Sequence, residues 1–257
     1  MIIVELKILK NQDGQDVELK FEEKKYNFHT KIIGEFQIEN IMQAVLFIIS
    51  VYKKKISIQK VCNIIPLIEA PKGRMQKVKN SNIFVDFAHT PKSLEESLLL
   101  LNELFDNVFV VFGCGGDRDK QKRPIMLNVA KKLADNVFLT SDNCRTENIK
   151  NIINDILCVE NKDDKNPLFN DYFVKNEIEK FNKEILQHQV VKNGEILVDP
   201  DRKKAIEIAI LEYKKLESNN KKVALLIAGK GAEDYQIIGT TKYHFSDFEE
   251  AVKNLEK

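Results

Sequence analysis

The chain has 257 residues, which is enough for one large domain or for one domain and part of another. Its 40 Lys and Arg against 39 Asp and Glu leave a net charge of +1, so no basic field points to nucleic acid as the main partner. The four cysteines form no C-x-x-C pair, no apolar stretch reaches the ~18 residues of a membrane span, and the N-terminus has no signal-peptide layout. A cytoplasmic protein without a metal site or membrane contact is predicted.

The first 34 residues have the alternating pattern of β-structure, with Val17–Phe21 as one strand. Residues 38–53 then carry apolar positions at helical spacing, which predicts a helix. A second helix is predicted at Ile58–Ile65, with Ser57 as its N-terminal cap.

From residue 73 onward the predicted strands and helices alternate. The strands are Asn82–Phe87, Asn107–Phe112, Asn136–Thr140, Ile196–Val198 and Val223–Ala228. The helices are Ser93–Leu104, Pro124–Ala134, Asn148–Leu157, Asp201–Leu216 and Ser246–Asn254. The polar and charged stretch 159–183 suggests a surface loop, and a short helix at Asn176–Leu186 is an alternative. This alternation predicts an α/β fold, a Rossmann-like and mostly parallel sheet with helices on both faces.

Ligands of such sheets bind at the carboxyl ends of the strands. Polar or glycine-rich segments follow four of the predicted strands: DFAHTP (86–91), GCGGDRDK (113–120), SDNCRTE (141–147) and GKGAEDY (229–235). Each segment alone could be a plain loop. Four of them at one edge of a sheet predict a binding site there.

The charged side chains in these segments suit an amino acid. Arg118 and Arg145 offer planar forks for carboxylates or phosphates, whereas Asp142 and Glu233 can accept hydrogen bonds from an ammonium group. The alternative is that these charges pair only with each other. The glycines are not a dinucleotide motif, because G-x-G-x-x-G would need Gly where Arg118 stands.

Five segments resemble motifs of the Mur ligases in order, and within that family those of the synthetases that add the third residue of the peptidoglycan stem. They are GRM (73–75), DFAHTP (86–91), GCGGDRDKQKRP (113–124), DRKKAI (201–206) and GKGAEDYQ (229–236). The resemblance runs from about Gly34 to the C-terminus. It implies a reaction in which ATP phosphorylates the γ-carboxylate of UDP-MurNAc-L-Ala-D-Glu and an incoming amine attacks the acyl phosphate to form an amide.

The tetrapeptide Asp142-Asn143-Cys144-Arg145 is similar to the Asp-Asn-Pro-Arg motif of the family members that add meso-diaminopimelate, whose Arg holds the distal carboxylate. The resemblance therefore implies diaminopimelate rather than lysine. It also implies that the following residues contact the amino acid: Arg118, Asp142, Asn143, Arg145, Gly229 and Glu233. Three positions depart from the family pattern: Cys144 replaces Pro, Ala232 stands where His is usual, and Gln37 stands where the family's G-x-F-N-x-x-N has Asn.

The same resemblance implies that Asn40, Arg74, Asp86 and His89 lie near ATP. Structural alternatives are that Asn40 caps the helix that follows it and that Asp86 satisfies loop amides. No catalytic residue and no metal ligand is assigned.

A phosphate-binding loop, G-x-x-x-x-G-K-[ST], does not occur in this sequence. The resemblance divides the chain into the tail of the central ATPase domain (1–72) and the C-terminal amino-acid-binding domain (73–257). ATP and Mg²⁺ are then expected to bind mainly through residues that this sequence does not contain.

Three hypotheses remain open at this point. The chain is the C-terminal part of a diaminopimelate-adding ligase, inactive alone and partnered by a chain with the N-terminal and P-loop domains. Alternatively it is a degenerate or non-catalytic module that binds an amino acid, or a fragment of a folylpolyglutamate or cyanophycin-type ligase. Arg145 in its D-N-x-R setting argues against the last of these.

Overall fold

The computed structural model describes residues 4–21, 23–52, 55–157 and 196–257. They form two compact units, Met1–Pro71 and Lys72–Lys257. The charged stretch 159–183 and the optional helix Asn176–Leu186 lie outside the described residues. Within the described residues, no helix is both long and apolar enough to cross a lipid bilayer.

The first unit begins with a three-stranded antiparallel meander, as the alternating pattern predicts. Its strands are β1 (Val4–Asn11), β2 (Gly14–Phe21) and β3 (Lys24–Thr30), in that spatial order. Alternate residues of β2 are buried, so one face of the meander carries the core.

Two helices cover that face, α1 (Glu35–Tyr52) and α2 (Ile58–Ile64), followed by a 3₁₀ turn at Ile65–Leu67. The predicted cap of α2 is confirmed, since Ser57 Oγ accepts a hydrogen bond from Lys60 N. The core joins Val17 and Leu19 of the sheet to Ile38 and Met42 of α1 and to Val61 of α2.

The second unit contains a six-stranded sheet in the order β4-β5-β9-β6-β7-β8. Its strands are β4 (Gln76–Lys77), β5 (Ile83–Asp86), β6 (Asn107–Phe112), β7 (Asn136–Leu139), β8 (Ile196–Val198) and β9 (Val223–Ala228). Only β4 pairs in the antiparallel sense within this sheet, and the predicted mostly parallel sheet is confirmed.

Helices cover both faces of this sheet. They are α3 (Pro91–Leu104), α4 (Lys122–Leu133), α5 (Ile149–Leu157), α6 (Arg202–Ser218) and α7 (Asp247–Leu255). Ile83 and Val85 belong to the core that α6 and α7 cover, whereas Phe84 between them packs against Phe105 at the end of α3. Because both faces are covered, the central strands are apolar along their length, as the sequence of Asn107–Phe112 indicated.

Two parts of the second unit were not predicted. β4 has only two residues and carries no periodic pattern. A hairpin of β10 (Tyr235–Ile238) and β11 (Thr241–His244) follows the GKGAE segment, and its second strand is exposed throughout, so no apolar alternation marks it.

Candidate functional site

The loops after β6 and β7 lie directly against each other. Gly116 N donates a hydrogen bond to Asn143 O at 2.9 Å. A side chain at Gly116 would bring its Cβ to within 1.9 Å of the carbonyl oxygen of Cys144. The glycine at this position thus serves close packing between two loops of the site.

Asn143 is the residue that joins the β7 loop to the segment after β9. Its Nδ2 donates to Glu233 Oε2 at 3.0 Å, and its Oδ1 accepts from Ile237 N at 2.9 Å. The side chain is buried, so both ends of the amide are held in place.

Arg145 is fixed by its own backbone. It adopts a left-handed conformation with φ of +53°, its N donates to Ile237 O at 3.1 Å, and its O accepts from Gly239 N at 2.7 Å. The hairpin therefore holds this residue in an unfavourable conformation, which is common at functional sites.

The guanidinium of Arg145 is oriented by carbonyl oxygens. Nη1 donates to Gly116 O at 2.8 Å and to Asn143 O at 3.3 Å. Among the described residues no carboxylate pairs with it, so its charge is available to a ligand. Arg118 is exposed, and a Cβ at Gly115 would lie 2.9 Å from Arg145 Nη1 and 3.7 Å from Arg118 Cγ, so the two arginines flank the same glycine.

Asp142 and Gly229 meet across the β7 and β9 ends. Gly229 has φ of +118°, and a Cβ there would lie 3.0 Å from Asp142 Oδ2. Asp142 Oδ1 accepts from Asn143 N at 2.6 Å. The structure thus gathers all six residues that the resemblance assigns to the amino acid at one edge of the sheet.

Lys230 is a member of this cluster that the sequence analysis missed. Its side chain is fully buried, and Nζ lies 3.1 Å from Glu233 Oε2 and 3.3 Å from Asn143 Oδ1. Lys230 lies in the segment 229–235 after β9, from which only Gly229 and Glu233 were assigned to the amino acid. The acid three residues later, Glu233, was the available signal for an ion pair within the loop.

A buried ion pair supports both loops from beneath. Arg202 and Asp247 are fully buried and share two hydrogen bonds of 2.7 Å. The same guanidinium donates to Ser141 O and to Ala228 O, the carbonyls that precede Asp142 and Gly229. Burial opposes the charge of Arg202, but the carboxylate of Asp247 outweighs it and the pKa of Arg202 is raised.

The thiol of Cys144 is buried, and this burial raises its pKa to about 12. It therefore stays protonated, and its Sγ donates weakly to Asp142 O at 3.7 Å.

A cavity of about 550 Å³ opens beside Cys144 and Arg145, between the β7 loop, the β8–α6 connection and β10. This volume is within the range of small-molecule sites. Ala232 is exposed.

Three of the four residues assigned to ATP lie around the carboxyl end of β5. The guanidinium of Arg74 stacks over the Phe87 ring, with its Cζ 4.8 Å from the ring centroid. The centroids of the Phe87 and His89 rings are 4.5 Å apart. Asp86 accepts from Met75 N at 2.7 Å and from Ser97 Oγ at 3.4 Å, which is the structural role that the sequence left open for it. Burial raises the pKa of Asp86.

Asn40 belongs to the first unit. Helix α1 begins at Glu35, three residues before the predicted start, and Asn40 lies exposed inside it. The alternative that Asn40 caps the helix is therefore wrong, and its assignment to ATP stays a prediction.

Known proteins match both the sequence and the fold. The family described as Mur ligase, glutamate ligase domain, matches residues 73–231. The UDP-N-acetylmuramoyl-L-alanyl-D-glutamate–2,6-diaminopimelate ligase of Rickettsia bellii is 37% identical over 241 residues, which are 93% of this chain and 42% of that protein. The ligase of the same name from Synechococcus elongatus is 32% identical over 93% of this chain and 41% of its own length.

The solved structure of a ligase of that name covers 99% of this chain and 45% of its own, with a TM-score of 0.64 and 26% identity. The folylpolyglutamate synthase of Mycobacterium tuberculosis has a TM-score of 0.55 at 15% identity over 98% of this chain and 46% of its own, which shows a shared fold alone. The chain thus spans less than half the length of the relatives it matches. With the family profile matched over more than half of its residues, the chain belongs to the Mur ligase family.

Proposed function

We propose that this chain supplies the acceptor side of an ATP-dependent ligase that adds meso-diaminopimelate to UDP-MurNAc-L-Ala-D-Glu in peptidoglycan synthesis. One observation carries the proposal: Arg145 lies beside the hydrogen-bonded pair Asn143–Glu233 at one edge of the sheet. Among the described residues, Arg145 has no acidic partner. Two relatives that are 37% and 32% identical to this chain over the aligned residues are named for this reaction.

In this proposal the residues bind and orient the amino acid. Arg145, with Arg118 beside it, receives a carboxylate, because a guanidinium fork matches the two oxygens of that group. Asp142 and Glu233 accept hydrogen bonds from an ammonium group, and Gly229 leaves room for the ligand next to Asp142. These side chains contribute to the reaction by positioning the nucleophilic amine, and they do not take part in bond formation themselves.

ATP would activate the carboxylate of the dipeptide substrate, with Arg74, Asp86 and His89 of the second unit and Asn40 of the first as the residues assigned to it. Residues 1–72 are assigned to the central ATPase domain in this view. In the described part of the chain, no group of three or more His, Cys, Asp and Glu side chains is placed to hold a metal ion. We therefore assign the binding of Mg²⁺ and of the phosphates to the part of the relatives that this sequence does not contain, whether it lies on the same polypeptide or on a partner chain in the cytoplasm.

Calorimetry on the full chain tests the proposal. Meso-diaminopimelate should bind, and lysine should bind at least about tenfold more weakly, because it has no distal carboxylate for Arg145. Equal affinities for the two would refute the assignment of the amino acid. Phosphate release in the presence of ATP, both substrates and a P-loop-bearing portion of a relative should require this chain, and turnover by the chain alone would contradict the division of labour.

A further inference from the structure

Lys230 is a fully buried lysine whose ammonium group lies inside the candidate amino-acid site. Nζ is 3.1 Å from Glu233 Oε2, 3.3 Å from Asn143 Oδ1 and 3.7 Å from Asp142 Oδ1. The centroid of the Tyr235 ring lies 5.5 Å from Nζ. A buried ammonium group is costly unless charged partners compensate it, so these contacts are the reason that it is tolerated there.

Every oxygen that Lys230 contacts belongs to a residue assigned to the amino acid. The lysine contacts one oxygen of each carboxylate, Asp142 Oδ1 and Glu233 Oε2. The other two oxygens, Asp142 Oδ2 and Glu233 Oε1, do not contact it. Asp142 Oδ2 is the atom that a side chain at Gly229 would approach to 3.0 Å. The Glu233 side chain is 25% exposed, so a ligand can reach it, whereas Lys230 is sealed off.

The charges follow from this arrangement. Two carboxylates with one ammonium group between them keep a single net negative charge, which matches the single positive charge of one ligand ammonium group. Without the lysine, the like charges of the two acids would repel each other, and Glu233 and Asn143 would lose the ammonium group that both of them contact.

We infer that Lys230 is a positioning residue, which holds Glu233 and Asn143 in place and tunes the site to accept one ammonium group. This inference rests on the proposed amino-acid site. It predicts that Lys230 matters for ligands with an amine and not for ligands that bind through carboxylates alone.

The test compares meso-diaminopimelate with pimelate, which has the same carbon chain and both carboxylates but no amine, by calorimetry on the full chain. Lys230→Met should weaken binding of diaminopimelate by about tenfold or more and leave that of pimelate within about twofold. Glu233→Gln should show the same selectivity, and its effect should be smaller in the Lys230→Met background, because the two residues act together.

The matched control is Lys214→Met, since Lys214 is a part-buried lysine that donates to the carbonyl oxygens of Asn254 and Leu255, outside the site. It should leave both affinities unchanged. If Lys230→Met lacks a thermal unfolding transition, Lys230→Gln takes its place in the same comparison. Equal losses for the two ligands would overturn the role of Lys230 alone, whereas no binding of diaminopimelate by the wild type would refute the amino-acid site and this role together.

Discussion

Arg145 Nη1 donates a hydrogen bond to the carbonyl oxygen of Gly116 at 2.8 Å, and so the loop after β7 is fastened to the loop after β6. A neutral carbonyl group orients the arginine, and among the described residues no protein carboxylate pairs with its charge. A ligand carboxylate can therefore meet a guanidinium that is already in position, which lowers the entropy cost of binding.

Replacing Arg145 should remove the recognition of a distal carboxylate. We expect Arg145→Ala to weaken binding of meso-diaminopimelate by about 10- to 100-fold, the effect of a charged hydrogen-bonding partner, and to change lysine binding little. Lys221→Ala, at the opposite edge of the sheet, is the control and should change neither. Equal weakening of both ligands, measured by calorimetry, would show that Arg145 acts only by supporting the loop.

Gly229 should be required for its shape. Gly229→Ala places a methyl group 3.0 Å from Asp142 Oδ2 and strains a φ of +118°, so it should reduce both stability and the affinity for the amino acid. Gly239 also has a positive φ, +61°, but a Cβ there meets nothing within 4 Å. Gly239→Ala should therefore lower the unfolding free energy by about 1 kcal/mol and keep the affinity. An unchanged affinity in Gly229→Ala would contradict the proposed approach of the ligand.

The Arg123–Glu147 pair should make stability depend on pH. Hydrogen bonds from the buried Arg123 are the largest cause that holds the pKa of Glu147 at about 2, below its ordinary value of 4.5. The carboxylate thus contributes stability that is fully present above about pH 4.5 and is lost as the pH falls toward 2.

Glu147→Gln should therefore lower the unfolding free energy in urea by about 2 kcal/mol at pH 7, and the gap to the wild type should narrow below pH 4.5. Glu212→Gln removes an exposed pair with Lys215 and should cost about 0.5 kcal/mol or less. A gap for Glu147→Gln that is constant from pH 7 to pH 3 would rule out this linkage.

An apolar face on helix α1 should make the purified chain associate. Phe47 and Val51 are one helical turn apart and are 69% and 56% exposed. Phe47→Lys and Val51→Lys together should raise the monomer fraction measured by light scattering. Leu99→Lys, at a solitary exposed leucine on α3, should not raise it, and a wild-type protein that is monomeric at high concentration would disprove the expectation.

The sheet of the second unit was predictable because its strands are covered on both faces. The predicted bounds of β6, β8 and β9 agree with the structure, since continuous apolar runs mark both ends of such strands. The bounds of α7 were predicted to within one residue, and Ser246 caps this helix, since its Oγ accepts a hydrogen bond from Glu249 N. The exposed hairpin β10–β11 was missed, because residues that face water carry no pattern.

For the site, the rule that ligands bind at strand ends selected loops that lie next to each other in the structure, and the six residues assigned to the amino acid lie in them. The role of Lys230 was not predicted, because it depends on a contact with Asn143, which is 87 residues away in the chain. A lysine in a polar loop has the appearance of a surface residue until the fold surrounds it with acceptors.

The Arg202–Asp247 pair affects when the site can form during synthesis of the chain. Asp247 follows every other residue of the site in the chain, yet it holds the guanidinium that bonds Ser141 O and Ala228 O. During synthesis the two loops can reach their final form only after Asp247 has left the ribosome. Until then a nascent chain would keep Arg202 without its counter-ion, and the binding edge of the sheet would assemble last.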